Sequence, residues 1–258
     1  MLAAPNPTAP PIRKRPMPID PAAFRHHPRL QGQITDPDTS FFRTFSPAEF
    51  DNVIREQGGR ADWRYPDEVR TAMMAETLGD RLNDDIWVFG YGSLMWDPGF
   101  HFSEIRRARI TGYRRAMALY DAQGARGTAE APGLMAALVE GGTVDGVVFR
   151  IDAAHAADEV EVVWRREMVG PGYLARFLPA ETDQGRVEAL AFVGDTTQED
   201  IRPDLPRADI VRYIATGEGI LGSSLDYLRN MLIHFREMGI PDPDLEALMD
   251  EVLAYRAD

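Results

Sequence analysis

The stretch "IDAAHAADEVEVVWRREMVGPGY", residues 151–173, has the period of a helix but is bordered on both sides by strand-like runs. Val160, Val163, Trp164 and Met168 recur at helical spacing and form one apolar stripe. Asp152 is a helix-opening residue, and Gly170-Pro171-Gly172 closes the segment. Upstream lie "RRAMALY" (114–120) and "LMAALVE" (134–140), followed by "GVVFRI" (146–151). Gly141-Gly142, between the last two, reads as the turn of a hairpin. Downstream, "YLARFLPAE" and "RVEALAFVG" flank Thr182-Asp183-Gln184-Gly185, a second hairpin signal. The chain then turns helical over 207–216, over 223–238 from Ser223 or Ser224, and over 243–256. Short strands around one inserted helix, then a helical tail, predict an α+β fold. The expected form is a small, partly closed mixed β-barrel with the helix inserted and a helical C-terminal part.

Ahead of these strands stands "DDIWVFGYGSLMWDPGF" (84–100), in which four apolar residues run into Gly90-Tyr91-Gly92-Ser93. Glycines after a strand remove side chains, so that backbone N–H groups can face a carboxylate or a developing oxyanion. The third glycine of a dinucleotide fingerprint is absent, Met95 standing in its place, so the motif does not predict nucleotide binding. "YPDEVRTAMMAETLGDRLN" (65–83) predicts a helix begun at Pro66. Residues 1–18 hold six prolines and read as a disordered tail. Residues 19–83 read as an N-terminal extension, its phenylalanines Phe24, Phe41, Phe42, Phe45 and Phe50 pinning it to a main domain at 84–258.

The 258 residues carry a net charge of −13, which disfavours nucleic acid and anionic membrane as partners. No apolar run is long enough to span a bilayer, and the N-terminus lacks the core of a signal peptide, so a cytoplasmic protein is expected. With no cysteine there is neither a disulfide nor a thiolate nucleophile, and the five histidines form no H-x-x-x-H pair. Neither a metal nor a cofactor is expected.

Glu167 is the sharpest single signal. It sits seven residues after Val160, four after Val163 and three after Trp164, which directs a carboxylate along the core-facing stripe. Such a group is either a buried ion pair with Arg165, Arg166 or a distant arginine, or an acid/base with a raised pKa. Alternation along "GYRRAM" turns either Arg114 or Arg115 inward. Arg126, in the loop "GARGTAEAPG", is placed to clamp a carboxylate.

Taken together, "WVFGYGSLMWDPGF", "GYRRAM", "RGTAEAPG", "GVVFRI", "VVWRREMVGPGY", "ALAFVGD", "GILGSSLDYL" and "MGIPDPDLEAL" resemble, in order and spacing, the ChaC-like γ-glutamylcyclotransferases. The resemblance runs from about Ile86 to the end and does not extend to the first 80 or so residues. It implies a small barrel-like fold and cofactor-free cleavage of a γ-glutamyl amide, glutathione foremost, to 5-oxoproline and Cys-Gly. It places the substrate loop on Val88, Phe89, Gly90, Tyr91, Gly92 and Ser93, and the catalytic glutamate on Glu167. The N–H groups through Leu94 would bind the α-carboxylate or the oxyanion, with Arg115 and Arg126 as further carboxylate anchors. One departure is Ile201, where bacterial members often carry a tyrosine. Three alternatives stay open. One is a cyclotransferase for another γ-glutamyl compound, and one a non-catalytic binding module of the same fold. The third, a Ser93 hydrolase, lacks the G-x-S-x-G elbow.

Overall fold

The computed structural model describes residues 19–257, so the expected tail at 1–18 lies outside the described residues. Five strands close into a barrel: β1 (Ile86–Gly90), β2 (Glu104–Asp121), β3 (Gly133–Ile151), β4 (Tyr173–Thr182) and β5 (Gly185–Gly194), in the order β1-β3-β2-β4-β5. β1 pairs antiparallel with β3 and parallel with β5, and the pairing with β5 closes the barrel. Val88 and Phe89 are fully buried there. An apolar run without alternation suits a strand that has no solvent face.

The expected hairpin at Gly141-Gly142 is not formed. Both flanking runs belong to one strand, β3, which pairs with β2 along nearly its whole length. Thr111 faces Thr143 and Tyr113 faces Glu140, leaving Gly112 opposite Gly141 and Gly142 as a bulge. All three glycines have positive φ, at +94°, +101° and +75°. Paired glycines with positive φ serve a reverse turn or a bulge equally well. Here they coil two long strands around the barrel instead of reversing one. The strands are therefore not uniformly short, β2 having 18 residues and β3 19. The second hairpin forms as its residues predict, with Thr182 opposite Gly185 across Asp183-Gln184.

The inserted helix is α4 (Ala156–Glu167), preceded by a 3₁₀ turn at Ala153–His155. Val160, Val163 and Trp164 are at most 1% exposed and seat it on the barrel. It ends earlier than the expected 169, because Met168 turns out of helical conformation at ψ 39°. Glu167 is thus the last helical residue. After the barrel come α5 (Arg207–Thr216), α6 (Ser224–Met238) and α7 (Pro243–Tyr255). Ser223 caps α6 by accepting from the Asp226 amide at 3.0 Å, while Ser224 is buried and accepts from the Leu134 amide at 2.9 Å.

Residues before β1 form α1 (Phe41–Thr44), α2 (Asp51–Glu56), α3 (Asp67–Leu78) and several 3₁₀ turns. Pro66 is the N-cap of α3, as expected. Of the five phenylalanines expected to pin this segment, Phe24 alone is buried, packing edge-on to Phe102 at 5.9 Å. The other four cluster beside the mouth of the barrel, Phe41 being 47% exposed.

Candidate active site

One cavity of about 380 Å³ opens where the end of β1, the end of α4, the β2–β3 loop and α6 converge. That is a size that holds a whole small molecule. Tyr91, Gly92, Ser93, Leu94, Arg126, Arg166, Glu167, Tyr173 and Tyr227 all line it. Val88, Phe89 and Gly90 lie behind it in the strand and support the loop without reaching the space.

The loop after β1 is fixed from several directions. The Tyr91 hydroxyl donates to the Phe192 carbonyl on β5 at 3.0 Å. Gly92 passes so close to α6 that a Cβ there would stand 2.9 Å from the Tyr227 hydroxyl oxygen. This is the close approach that the second glycine permits. Among the described residues, no acceptor meets the amides of Ser93 and Leu94.

Arg166 organises the end of α4. Its guanidinium donates to Ser93 Oγ at 2.8 Å and to the Asp97 carbonyl, pairs with Glu167 at 2.9 Å, and lies over the Phe42 ring at 3.7 Å. Glu167 is 15% exposed, and burial raises its carboxyl pKa; the adjacent Arg166 opposes that rise without cancelling it. Its Oε1 holds Arg166, whereas its Oε2 has no partner among the described residues. Both structural expectations for Glu167 thus hold together, the ion pair with an arginine and the raised pKa. Three phenols surround it. Burial raises the pKa of Tyr91 and Tyr173 and pushes that of Tyr227 up to about 12, so all stay neutral near neutral pH.

The two arginines singled out by sequence part company. Arg126 reaches the cavity, its Nε buried without a partner, its guanidinium 5.5 Å from the centre of the Tyr227 ring and bonded to no carboxylate among the described residues. Burial lowers its pKa. Its loop is nested on Asp121, whose carboxyl accepts from the amides of Gln123 at 2.8 Å, of Gly127 at 3.1 Å and of Arg126. Arg115 is turned inward and lies outside the cavity. It donates from Nε to the Tyr91 carbonyl, from Nη1 to Asp242 and from Nη2 to the Asp145 carbonyl, each at 2.6 Å. Arg114 is the exposed one of the two. Ile201 is also outside, buried against Ala118, Ala137 and Val139. Sequence alone offered Arg166 only as one of several ion-pair partners for Glu167 and Phe41, Phe42, Phe45 and Phe50 only as packing residues; with Ile54 and Trp63, which it did not single out, these phenylalanines form one side of the cavity.

The arrangement does not support Ser93 as a hydrolytic nucleophile. Its hydroxyl accepts from a guanidinium, and no histidine lines the cavity. Among the described residues no group of three or more His, Asp or Glu is placed to hold a metal ion. Among the described residues, no helix is long and apolar enough to cross a membrane.

A small closed barrel, with a buried carboxylate at the end of its inserted helix and a glycine loop opposite, has the fold of the γ-glutamyl cyclotransferases. A glutathione-specific γ-glutamyl cyclotransferase from yeast superimposes with a TM-score of 0.62 over 67% of this chain and 97% of that one, at 22% identity. Residues 86–255 match the sequence model of the ChaC-like proteins, and the chain belongs to that family. It is 36% identical over 193 residues to the glutathione-specific γ-glutamylcyclotransferase of Escherichia coli (strain K12), an alignment covering 74% of this chain and 83% of that protein. The glutathione-specific γ-glutamylcyclotransferase 1 of Danio rerio is 32% identical over 62% of this chain and 83% of its own length.

Proposed function

We propose that this chain is a γ-glutamylcyclotransferase that takes glutathione, with Glu167 as its general acid/base. The observation that carries the reading is a buried carboxylate with a raised pKa and one free oxygen, sharing a cavity with unpaired loop amides and an arginine that, among the described residues, donates only to the Ser223 carbonyl and meets no carboxylate. The names of the E. coli and zebrafish relatives supply the substrate.

The chemistry needs no external reactant. Arg126 holds the α-carboxylate of the γ-glutamyl group, and the folded chain brings the α-amine to the γ-carbonyl. Glu167 Oε2 takes a proton from the α-ammonium. The amine nitrogen attacks the γ-carbonyl carbon, and the negative oxygen meets the amides of Ser93 and Leu94. The Ser93 hydroxyl, already accepting from Arg166, keeps its own proton to donate to that oxygen. The amide C–N bond then breaks as Glu167 returns its proton to the departing amine, and the carboxylate so regenerated takes the second proton from the ring nitrogen, leaving a neutral lactam, and passes it to the released amine. 5-Oxoproline and Cys-Gly leave. Holding the near-attack conformer supplies up to about 7–11 kcal/mol in favourable intramolecular reactions. A carboxyl with a pKa raised toward neutrality both accepts and returns the proton efficiently.

The test is to incubate purified protein with glutathione and follow 5-oxoproline and Cys-Gly by mass spectrometry. Both should form, and Glu167→Gln should lower kcat by about 10²–10⁴-fold or more with glutathione still bound. Turnover unchanged in Glu167→Gln would remove Glu167 as the base. No turnover of any γ-glutamyl compound, with binding intact, would leave a binding protein.

A further inference from the structure

The side of the cavity built by residues 41–63 has a chemistry of its own. Phe41, Phe42, Phe45 and Phe50 form a continuous aromatic cluster with ring centroids 5.3–6.2 Å apart, and Ile54 and Trp63 extend it. None of these six offers a free polar atom, since the Trp63 indole N–H already donates to Asp51 at 3.0 Å. The segment is tied at several points. Arg43 pairs with Glu159, donating to its Oε1 at 2.9 Å; Arg64 pairs with Asp51 at 2.8 Å; and the Tyr65 amide donates to the Val169 carbonyl at 2.7 Å. Its far end meets the β2–β3 loop, where the Arg60 amide donates to Gln123 at 2.8 Å. Polar bonds thus hold a strap across the cavity, while Phe41 is 47% exposed and Phe42, Phe45 and Phe50 are only half-buried.

Two features make this a substrate surface rather than remote packing. The cluster touches the reaction machinery, because the Phe42 ring lies 3.7 Å from the Arg166 guanidinium carbon, and Arg166 holds both Ser93 and Glu167. It also lies entirely before residue 86, where the match to the ChaC-like family model begins. A thiol or a glycine carboxylate has nothing to bond there, whereas an apolar group would bury itself against four aromatic rings.

We propose that this surface is a subsite for an apolar substituent on the leaving half of the substrate, and that the enzyme prefers S-alkyl or S-aryl conjugates of glutathione to glutathione itself. The inference rests on the cyclotransferase reading of the site. The reaction is unchanged at every atom. The α-amine nitrogen bonds to the γ-carbonyl carbon, the amide C–N bond breaks, and the leaving amine takes the proton. The products become 5-oxoproline and an S-substituted Cys-Gly, with the thioether untouched.

The experiment compares kcat/KM for glutathione, S-hexylglutathione and S-benzylglutathione in the full-length protein, reading 5-oxoproline in each case. The conjugates should exceed glutathione by about tenfold or more, the discrimination an apolar pocket gives a few added carbons. The ratio should fall toward one in Phe45→Ala. Phe41→Ser, at a position half in solvent, repeats the test in a variant whose folding is not in question. Glutathione turned over as well as or better than both conjugates would overturn the inference while leaving the cyclotransferase reading intact. A preference unchanged in both variants would also overturn it, by removing the aromatic cluster as its source. Failure of all three compounds to yield 5-oxoproline would overturn both readings together.

Discussion

Glu167 illustrates how far a single residue's chemistry can be read. Its helical phase against Val160, Val163 and Trp164 was legible because period and burial are local properties of one helix. What sequence could not do was choose, among Arg165, Arg166 and more distant arginines, the partner that balances it. Arg166 is its immediate neighbour in the chain, and residues one apart on a helix point apart, so spacing does not favour the contact that these two long side chains make at the last residues of α4. The raised pKa has two consequences. The acid limb of kcat/KM against pH should lie above the ordinary glutamate range near 4.3, and Arg166→Met, by removing a nearby positive charge, should move it higher still. For stability, the folded state holds the Glu167 proton more tightly than the unfolded chain does. This group's favourable contribution is therefore complete below the unfolded pKa and is lost as pH rises through the folded one. Glu167→Gln should accordingly raise Tm at neutral pH, a gain that disappears near pH 4 in calorimetric scans. Arg126, by contrast, is proposed as a binding group, and Arg126→Met should raise KM for glutathione roughly 10- to 100-fold with kcat little changed, the range of a hydrogen bond to a charged group.

At the scale of elements, the β2–β3 ribbon carries the lesson about glycine. Gly141-Gly142 was read as a turn because the chemistry of a positive φ is the same in a turn and in a bulge; the difference lies in Gly112 on the opposite strand, which no local pattern links to it. Because a Cβ on Gly141 would meet nothing within 4 Å, substitution there isolates backbone strain from packing. Gly141→Ala should cost about 1 kcal/mol or more in urea unfolding, with its m-value unchanged. The four-residue α1 and the turns around it show the opposite limit. Phe41, Phe42, Phe45 and Phe50 carry no periodic signal, so their hydrophobicity announced burial but not the cavity they border.

Across the whole molecule, Arg115 joins parts that sequence keeps far apart. It was expected at the substrate because alternation says only that it points inward; that Asp242, the N-cap of α7, waits there is a fact of tertiary structure. Arg115 is 5% exposed in its side chain and holds the Tyr91 carbonyl, so it positions the loop after β1 from behind. Asp242→Asn should destabilise the protein by about 3–5 kcal/mol, the effect of leaving a buried charge unpaired. It should also lower kcat, and at a distance from the cavity, a combination that unfolding curves and steady-state kinetics would separate. The barrel's closure has a temporal side. β1 makes its parallel pairing only with β5, roughly 100 residues later in the chain, a separation that costs loop-closure entropy before any contact rewards it. The loop bearing Tyr91–Leu94 is anchored to β5 through the Tyr91 hydroxyl, so it reaches its final geometry only when that last strand docks. A nascent chain still lacking β5 at the ribosome would carry every residue of the Gly90–Leu94 loop and no site. Catalytic competence in this protein is therefore a late event of folding, and its appearance in a refolding experiment would time the closing of the barrel.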